Sequence, residues 1–352
     1  MNIIFPILGF GKAGGYRVLS KLADEFIKNG HDVTFVSPRN NSFPYYPTKA
    51  KIISVPSRFE NVRVLRVIFG LWAVFNNILK MDSACVVANH NLTSYLVFFL
   101  PNRFDKYYYV QAYEVKIVSG FKSKLAAYLS YFLPLKKIVN SERILPGYFK
   151  NVVGVVPAGI DLDLFGRGEL KSKRERPSTV NIGFIGREEV HKGSYEIIQA
   201  ICGLIDDFDM HLNVAVYMPS IPGKLKLKTS FFDIKNDHEL AFFYRQNDIF
   251  VATGLVEDGA FHYPCAESMA AGCIVISNYS PLLDRKDSNN LFLRVSEVNP
   301  SKIAKSIKAA VLMDDSSVEV EMKKNARTVE RYSWDLVASR FLKLISDQNS
   351  KA

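Results

Sequence analysis

The sequence predicts an α/β protein built from two Rossmann-like domains that face a central cleft. At 352 residues the chain suits two domains of roughly 150 to 200 residues each. Each half begins with an apolar strand, a glycine-containing turn and an amphipathic helix, which is the unit that builds parallel sheets. These two units start at Asn2 and Val180. The composition, 48% hydrophobic and 23% charged, is typical of a globular chain with a substantial core.

The first half is predicted to alternate between strands and helices. Residues 2–8 form a predicted strand, and a glycine-rich turn occupies 9–15. Apolar residues recur at helical spacing over 16–29, and Gly30 is the expected C-cap. The later elements of this half are strands at 31–37, 84–88 and 106–111, and a helix at 121–139 that ends in the basic pair Lys136 and Lys137.

The domain boundary is predicted from a change in composition. The first domain is expected at 1–165, and the charged run GRGELKSKRERPS at 166–178 is typical of an interdomain linker. A solvated loop inside one domain would have the same composition. The second domain is expected at 176–334, with a helix from Ser194 to Leu204 after its first turn.

The net charge points to an anionic partner. The formal charge is +10 and the pI is about 9.2, which favours a nucleotide diphosphate, a nucleic acid or an anionic membrane surface. A generally basic surface without a specific partner fits as well. Nucleic acid is disfavoured, because the positive charge is dispersed and no base-reading module is present.

Cysteine usage and the chain start favour a cytoplasmic location. No CxxC pair and no zinc-ligand spacing occurs, so we expect reduced core thiols. Met1 is followed by an apolar strand without a basic region, which argues against a secretory signal. The apolar stretch Val64–Leu79 is too short and too polar to span a bilayer. The cysteines are Cys85, Cys202, Cys265 and Cys273.

The first turn matches a dinucleotide-binding pattern. Gly9, Gly11 and Gly14 satisfy G-x-G-x-x-G between a strand and a helix. The acidic residue expected at the end of the next strand is missing, although Arg39 could serve a 2′-phosphate. An NADP-linked oxidoreductase therefore stays open as an alternative.

The second domain carries a stronger pattern. Arg187 and Lys192 are five residues apart in the turn between strand and helix, where two cations can converge on a diphosphate. A basic pair in a surface loop is also common. Farther on, a short helix begins at Tyr263-Pro264, and Glu267 is placed on its first turn, where it could accept hydrogen bonds from ribose hydroxyls. A dipole-stabilising acid is the alternative interpretation of Glu267.

Four blocks in this order form a more specific pattern than any one alone. They are Gly14-Gly15 followed by LSKLADEFIKNGHDVTFVSP, VPAGIDLDLF at 156–165, IGFIGREEVHKG at 182–193, and GAFHYPCAESMAAGCIVIS at 259–277. With these blocks nearly the whole chain resembles the retaining GT-B glycosyltransferases of the bacterial cell-envelope family, group 1 and family 4-like. YSWDLVASRFLKLI at 332–345 resembles the terminal helices of such enzymes, which implies that a helix at about 335–352 packs back on the first domain.

The resemblance implies roles for individual residues. Arg187 and Lys192 would neutralise the donor diphosphate, and Glu267 would hold the ribose. Gly14 and Gly15 would let the acceptor-side domain approach the donor closely. The remaining donor-binding candidates are Gly186, Gly259, Ala260, Phe261, His262 and Tyr263.

The chain departs from the family at two places. The family usually has a glutamate eight residues before Glu267, where this chain has Gly259, and Glu257 or Asp258 are candidates to replace it. Many relatives have a histidine after the strand that here reads YYYVQAYE; this chain has Gln111 and Glu114, which become acceptor or sugar candidates. Ordinary polar residues at a strand end are the alternative. His90 is a weaker candidate, because a lone histidine beside a strand end is more often structural.

The resemblance implies a metal-independent hexosyltransferase-like enzyme without a cofactor. It would move a sugar from a nucleotide diphosphate sugar to a hydroxyl of a cell-envelope glycan, such as lipopolysaccharide, or of a lipid-linked acceptor, with retention. A binder that holds the sugar nucleotide without catalysis is a further alternative. The basic, aromatic segments 63–80 and 121–137 could rest on anionic lipid, which would make the enzyme peripheral at the inner face of the plasma membrane. Core helices are the alternative for both segments.

Overall fold

The computed structural model describes residues 1–11, 13–38, 43–56, 62–166, 179–220, 227–255, 261–287 and 290–349. These residues form two compact units. The first contains Met1–Gly159 and the C-terminal helix, and the second contains the described residues from Ile160 to Ser333.

The first unit is built on a sheet of seven parallel strands in the described chain, in the order β3-β2-β1-β4-β5-β6-β7. The strands are β1 (Asn2–Pro6), β2 (Asp32–Pro38), β3 (Lys51–Val55), β4 (Cys85–Ala88), β5 (Asp105–Val110), β6 (Lys136–Val139) and β7 (Val152–Val155). The helices are α1 (Gly14–Lys28), α2 (Arg63–Leu79), α3 (Asn91–Phe98), α4 (Glu114–Ile117), α5 (Phe121–Ser130) and, from the chain end, α12 (Trp334–Asn349).

The second unit is built on five parallel strands of the described chain, in the order β10-β9-β8-β11-β12. The strands are β8 (Val180–Ile185), β9 (Met210–Ala215), β10 (Lys228–Phe232), β11 (Ile249–Ala252) and β12 (Ile274–Ser277). The helices are α6 (Leu162–Phe165), α7 (Ser194–Cys202), α8 (Asp237–Arg245), α9 (Tyr263–Ala270), α10 (Pro300–Val311) and α11 (Asp315–Glu330).

The central strands of both sheets are buried, as parallel strands covered on two faces require. All four residues of β4, β11 and β12 are buried, which explains why their sequences are continuous apolar runs. The carboxyl ends of parallel strands share one edge, and polar loops in doubly wound sheets gather functional groups there. Both units therefore offer such an edge.

Buried tyrosines of β5 anchor distant parts of the first unit. The hydroxyl of Tyr109 donates to the carbonyl of Val156 at 3.1 Å. The hydroxyl of Tyr107 donates to the carbonyl of Ile345 at 3.3 Å. A buried tyrosine needs a partner for its hydroxyl, so these bonds let large rings fill the core without leaving polar groups unpaired.

The C-terminal helix α12 packs within the first unit. The ring of Phe341 lies 5.4 Å from that of Phe26 on α1 and 5.3 Å from that of Tyr109, measured between centroids. A Cβ atom at Gly159 would lie 2.5 Å from the ring of Trp334, so only glycine permits this close packing. The helix thus adds a buried aromatic face to α1 and β5.

The prediction of one helix over 121–139 is wrong. Helix α5 ends at Ser130, and residues 136–139 form the buried strand β6 between β5 and β7. Pro134 explains the break, because proline lacks the N–H that a continuing helix needs. Lys137 is 1% exposed, so it is no part of a basic surface.

Lys137 shows how a buried cation is accommodated. Its Nζ donates to the carbonyls of Leu133, Leu135 and Lys150 at 2.9, 3.3 and 3.1 Å. Desolvation lowers the pKa of Lys137 to about 8, since burial disfavours the charged form. The three carbonyls satisfy all three donors of the ammonium group and join both loops that flank β6.

A buried ion network joins α11 to the loop after β12 in the second unit. Arg285 contacts Glu321, and its Nη2 donates to Asp287 at 2.7 Å. Asn325 accepts from Arg285 at 2.8 Å, and Asn290 donates to Glu321 at 2.8 Å. The pKa of Asp287 is lowered, first by its hydrogen bond with Arg285.

We expect Glu321→Ala to lower the free energy of unfolding by about 3 kcal/mol or more, because it leaves a buried guanidinium without its buried counter-charge. Equilibrium urea unfolding measures this effect. The control is Glu319→Ala on the same helix, which removes an exposed ion pair with Lys323 and should change little. Equal stability of the two variants would show that the network does not hold α11 in place.

Candidate functional site

The turn after β8 depends on a close backbone approach. The N–H of Gly186 donates to the carbonyl of Ala215 at 2.9 Å. A Cβ atom at Gly186 would lie 1.7 Å from the carbonyl oxygen of Tyr217, so no other residue fits without movement. The next N–H, that of Arg187, donates to the hydroxyl of Ser194 at 2.8 Å. These bonds fix where the turn leaves the sheet.

The same turn presents both predicted cations. Val190–Lys192 form a single 3-10 turn, and Gly193 follows with φ of 73°, a conformation that favours glycine. The carbonyl of His191 accepts from the N–H of Leu255 at 2.9 Å, which ties the turn to the segment that follows β11. Arg187 is exposed and Lys192 is half-buried. Across the described residues, neither side chain forms an ion pair with a carboxylate.

Residues that follow β11 and β12 form hydrogen bonds and pack against each other beside this turn. The side chain of Asn278 accepts from the N–H of Gly254 at 3.1 Å and donates to its carbonyl at 2.8 Å. A Cβ atom at Gly254 would lie 2.2 Å from the hydroxyl oxygen of Tyr279. The ring of Tyr279 in turn stacks on the ring of His262, with 4.3 Å between centroids and 27° between planes.

His262 is the N-cap residue of α9 and lies near both cations. Its N–H donates to the carbonyl of Ser280 at 3.1 Å. Its Nδ1 is buried and has no hydrogen-bond partner among the described residues. Desolvation and then the charges of Lys192 and Arg187 lower the pKa of His262 to about 3. The imidazole is therefore neutral at physiological pH.

Glu267 is held inside the second unit. It is 1% exposed, and its Oε2 accepts from the hydroxyl of Tyr244 at 3.0 Å. The prediction that Glu267 lies on the first turn of its helix is wrong: it is the fifth residue of α9, and the first turn carries no acid. The helix dipole acts mainly within the first turn, so this position weakens the dipole explanation.

Not all of the predicted donor-binding segment can be placed. Gly259 and Ala260, and the candidate replacements Glu257 and Asp258, lie outside the described residues. The described part starts at Phe261, whose ring lies 5.5 Å from that of Tyr263 between centroids. A replacement for the missing glutamate stays a prediction.

The first unit brings Gly15 and Gln111 together. Helix α1 begins at Gly14, as the glycine turn requires. A Cβ atom at Gly15 would lie 3.3 Å from the Oε1 of Gln111, which follows β5. Gln111 also accepts, through its backbone carbonyl, a 2.7 Å bond from the side chain of Asn140 after β6. The loops after three strands therefore meet at the carboxyl edge of this sheet.

Glu114 and His90 form a pair that the sequence did not predict. The Glu114 carboxylate accepts from the N–H of Asn91 and the hydroxyl of Tyr108, each at 3.1 Å, and lies 3.6 Å from the Nε2 of His90. The Nδ1 of His90 accepts from the N–H of Leu92 and caps α3. Burial raises the pKa of Glu114, while His90, Asn91 and Tyr108 oppose that change.

The sequence interpretation also missed the residues that support the second-unit site. Tyr244 and Tyr279 come from elements more than ten residues away from their partners, and no local pattern identifies them. Asn278 had a usable signal, because it directly follows a buried strand at the edge where ligands bind. Ser194, at the start of α7, had a weaker one.

Solved structures share this fold. A glycosyltransferase from Rickettsia africae ESF-5 is 17% identical, with a TM-score of 0.74 and 98% of each chain covered. Anabaena Alr3699/HepE in complex with UDP and glucose is 11% identical, with a TM-score of 0.71 over 99% of this chain and 100% of that one. WaaG, a glycosyltransferase involved in lipopolysaccharide biosynthesis, is 14% identical, with a TM-score of 0.68 over 96% and 98% of the two chains.

These similarities establish the fold. They confirm the predicted α/β class with two Rossmann-like parallel sheets, the architecture of GT-B glycosyltransferases. No protein-family model matches the chain, and no curated protein matches it either.

We expect the stability of the chain to depend on pH through His262. Its folded-state pKa of about 3 is below the ordinary value of 6.5, so the unfolded chain binds the proton more tightly between these values. Folding is therefore destabilised as the pH falls through this window. Thermal unfolding from about pH 6.5 to about pH 4.5 should show a steeper loss for wild type than for His262→Gln.

The matched control is His238→Gln, which changes an exposed histidine on α8 and should follow wild type. Identical pH profiles for wild type and His262→Gln would contradict the burial of a neutral imidazole at this position.

Proposed function

We propose that the chain is a glycosyltransferase that moves a sugar from a nucleoside diphosphate sugar to a hydroxyl of a cell-envelope glycan or a lipid-linked acceptor, with retention. The observation that carries the proposal is the pair of cations, Arg187 and Lys192, held without a carboxylate partner among the described residues beside the start of α9. A diphosphate is the ligand that best matches two converging cations and the N–H groups of a helix start.

The arrangement suits the chemistry of glycosyl transfer. When the bond between the sugar and the diphosphate breaks, negative charge develops on the leaving phosphate, and cations that are already in place stabilise it. The leaving phosphate can also take the proton of the acceptor hydroxyl. This route explains retention without a protein nucleophile and without a pair of catalytic carboxylates.

Glu267 supports the proposal if its carboxylate becomes accessible to the ribose on binding. The hydroxyl of Tyr244 fixes the orientation of the Glu267 carboxylate, which favours a defined contact with ribose. Because Glu267 is 1% exposed, binding of both ribose hydroxyls would require the side chain or the neighbouring backbone to move.

UDP is the first nucleotide to test, because the Anabaena protein binds UDP and glucose in a structure with the same fold. In the part of the chain that is described, no group of three or more His, Cys, Asp or Glu side chains could hold a metal ion. Metal-independent transfer without a cofactor stays part of the proposal. The NADP-linked oxidoreductase is not favoured, because Ser37 and Pro38 stand at the end of β2 and the Rickettsia africae protein and WaaG, which share the fold, are glycosyltransferases.

We expect UDP or another nucleoside diphosphate to raise the melting temperature of the chain, because a ligand that binds the folded state stabilises it. Arg187→Ala and Lys192→Ala should each weaken this binding about tenfold or more, since a hydrogen bond to a charged group contributes about 1.5 to 3 kcal/mol. A thermal-shift titration with UDP, GDP, dTDP, CMP and NADP measures both effects.

Arg327→Ala, which removes an exposed arginine on α11, is the matched control and should bind like wild type. Stabilisation by NADP alone would replace the proposal with the oxidoreductase. If the nucleotide binds but neither sugar transfer nor slow donor hydrolysis is detected, the chain is only a binding protein.

The second part of the proposal is that the first unit rests on anionic lipid. On α2, the exposed residues Val64, Ile68 and Trp72 are four residues apart and form one apolar stripe. On α5, Phe121, Leu125 and Leu129 repeat the same spacing. Trp72 is 63% and Phe121 is 80% exposed, so these stripes are not core faces.

The surroundings of both stripes favour an anionic membrane over a neutral one. Helix α3 packs against both α2 and α5. Neither α2 nor α5 contains an acidic residue, while Arg66, Lys122 and Lys124 are exposed on them. Exposed apolar groups beside basic residues are typical of helices that lie in the membrane interface. None of the described helices is long and apolar enough to cross a membrane.

We expect the chain to float with vesicles that contain anionic lipid and to stay at the bottom of the gradient with neutral vesicles. The double variant Trp72→Ser, Phe121→Ser should lose most of the flotation, because it removes the aromatic ring of each stripe. Leu336→Ser, which changes an exposed leucine on α12, is the control. Flotation that is equal for all three proteins, or absent for wild type, would contradict this part of the proposal.

A further inference from the structure

The side chain of His262 has a geometry that its role as a helix N-cap does not explain. Its backbone N–H is already bound to Ser280, and α9 has no side-chain cap. The ring is held in one plane by stacking on Tyr279. Its Nδ1 is buried and unpartnered among the described residues. A buried polar atom without a partner is unfavourable, so a hydrogen bond from a ligand would remove this cost. Because Nδ1 is buried, this contact requires the ring or the neighbouring backbone to move, as for Glu267.

Burial and two neighbouring cations oppose a positive charge on the ring. Lys192 and Arg187 contribute their charges from the turn after β8. Tyr279, from the segment after β12, stacks on the ring. The two cations and desolvation together bring the pKa of His262 to about 3. A bound diphosphate would reverse the balance, because it neutralises both cations and adds an opposite charge close to the ring.

We propose that His262 takes up a proton when the diphosphate of the donor binds, and that its Nδ1–H then donates a hydrogen bond to that diphosphate. The inference rests on the proposed function and assigns a third positive group to the same site. Before donor binding, the site has two positive charges and a neutral imidazole; after binding, it has three positive charges around the diphosphate. The third positive charge is thus present only while a diphosphate is bound.

The proton balance of the reaction follows from this assignment. The proton on His262 comes from solvent during donor binding. In the transfer step, the bond between the anomeric carbon and the diphosphate oxygen breaks, and its electron pair stays on the diphosphate. The acceptor oxygen forms the new bond to the anomeric carbon, and its proton passes to the leaving diphosphate. His262 keeps its proton through this step and returns it to solvent when the nucleoside diphosphate leaves.

Proton uptake can be measured directly by calorimetry of UDP binding to the whole chain at about pH 5 in acetate and in MES, which differ in ionisation enthalpy. We expect wild type to take up about one more proton per bound UDP than His262→Gln, because glutamine keeps a hydrogen-bonding side chain but cannot be protonated. The variant should also bind UDP about tenfold more weakly. His238→Gln on α8 is the control and should match wild type in both measurements.

A second readout follows the imidazole itself. With histidine labelled at the ring, the NMR signal that His262→Gln removes belongs to His262. We expect this signal to show a neutral ring down to about pH 5 without ligand, and a pKa of about 6 or above with saturating UDP.

The outcomes separate this inference from the proposed function. If UDP binds, but proton uptake equals that of His262→Gln and the ring stays neutral at about pH 6, the inference is overturned and the glycosyltransferase proposal stands. If no nucleoside diphosphate raises the melting temperature, the proposed function is overturned and this inference falls with it.

Discussion

Two cationic side chains without a carboxylate partner, in the part of the chain that is described, are the feature of the second unit on which the proposed function depends. Arg187 and Lys192 are placed by the backbone of one turn, which Gly186, Ser194 and the carbonyl of His191 hold against the sheet. Both cations suppress the protonation of their neighbour His262. A bound anion would pair with both cations and remove this effect, which is why we propose that the site binds a diphosphate.

Close packing is what makes this placement rigid. Gly186 and Gly254 leave no room for a side chain, because the carbonyl of Tyr217 and the hydroxyl of Tyr279 occupy those positions. Asn278 then clamps the backbone of Gly254 through two hydrogen bonds. Charges on a rigid edge need no reorganisation when negative charge appears, and that is the condition for stabilising a transition state electrostatically.

The sequence predicted those features that local patterns encode. The strand, turn and helix units, the cations of the 187–193 turn and the proline start of α9 follow from spacing within a few residues. The pairs Glu267 with Tyr244 and Glu114 with His90 join residues more than twenty positions apart, so that tertiary packing alone brings them together.

The errors have physical causes as well. The segment 121–139 is rich in aromatic and other apolar residues along its whole length, so its pattern did not distinguish a helix from a helix followed by a buried strand, and Pro134 was the signal that was missed. Glu267 was placed one turn too early on α9. The α5 surface for which we propose lipid contact therefore ends before Lys136. The buried Lys137 contributes instead to the fold of the first unit.

A crystal structure of the full chain with UDP tests the central claim most directly. The account predicts diphosphate oxygens about 3 Å from the guanidinium of Arg187 and from the Nζ of Lys192, the distance of charge-assisted hydrogen bonds. A diphosphate bound elsewhere, for example on the glycine turn before α1, with both cations still in solvent, would contradict it.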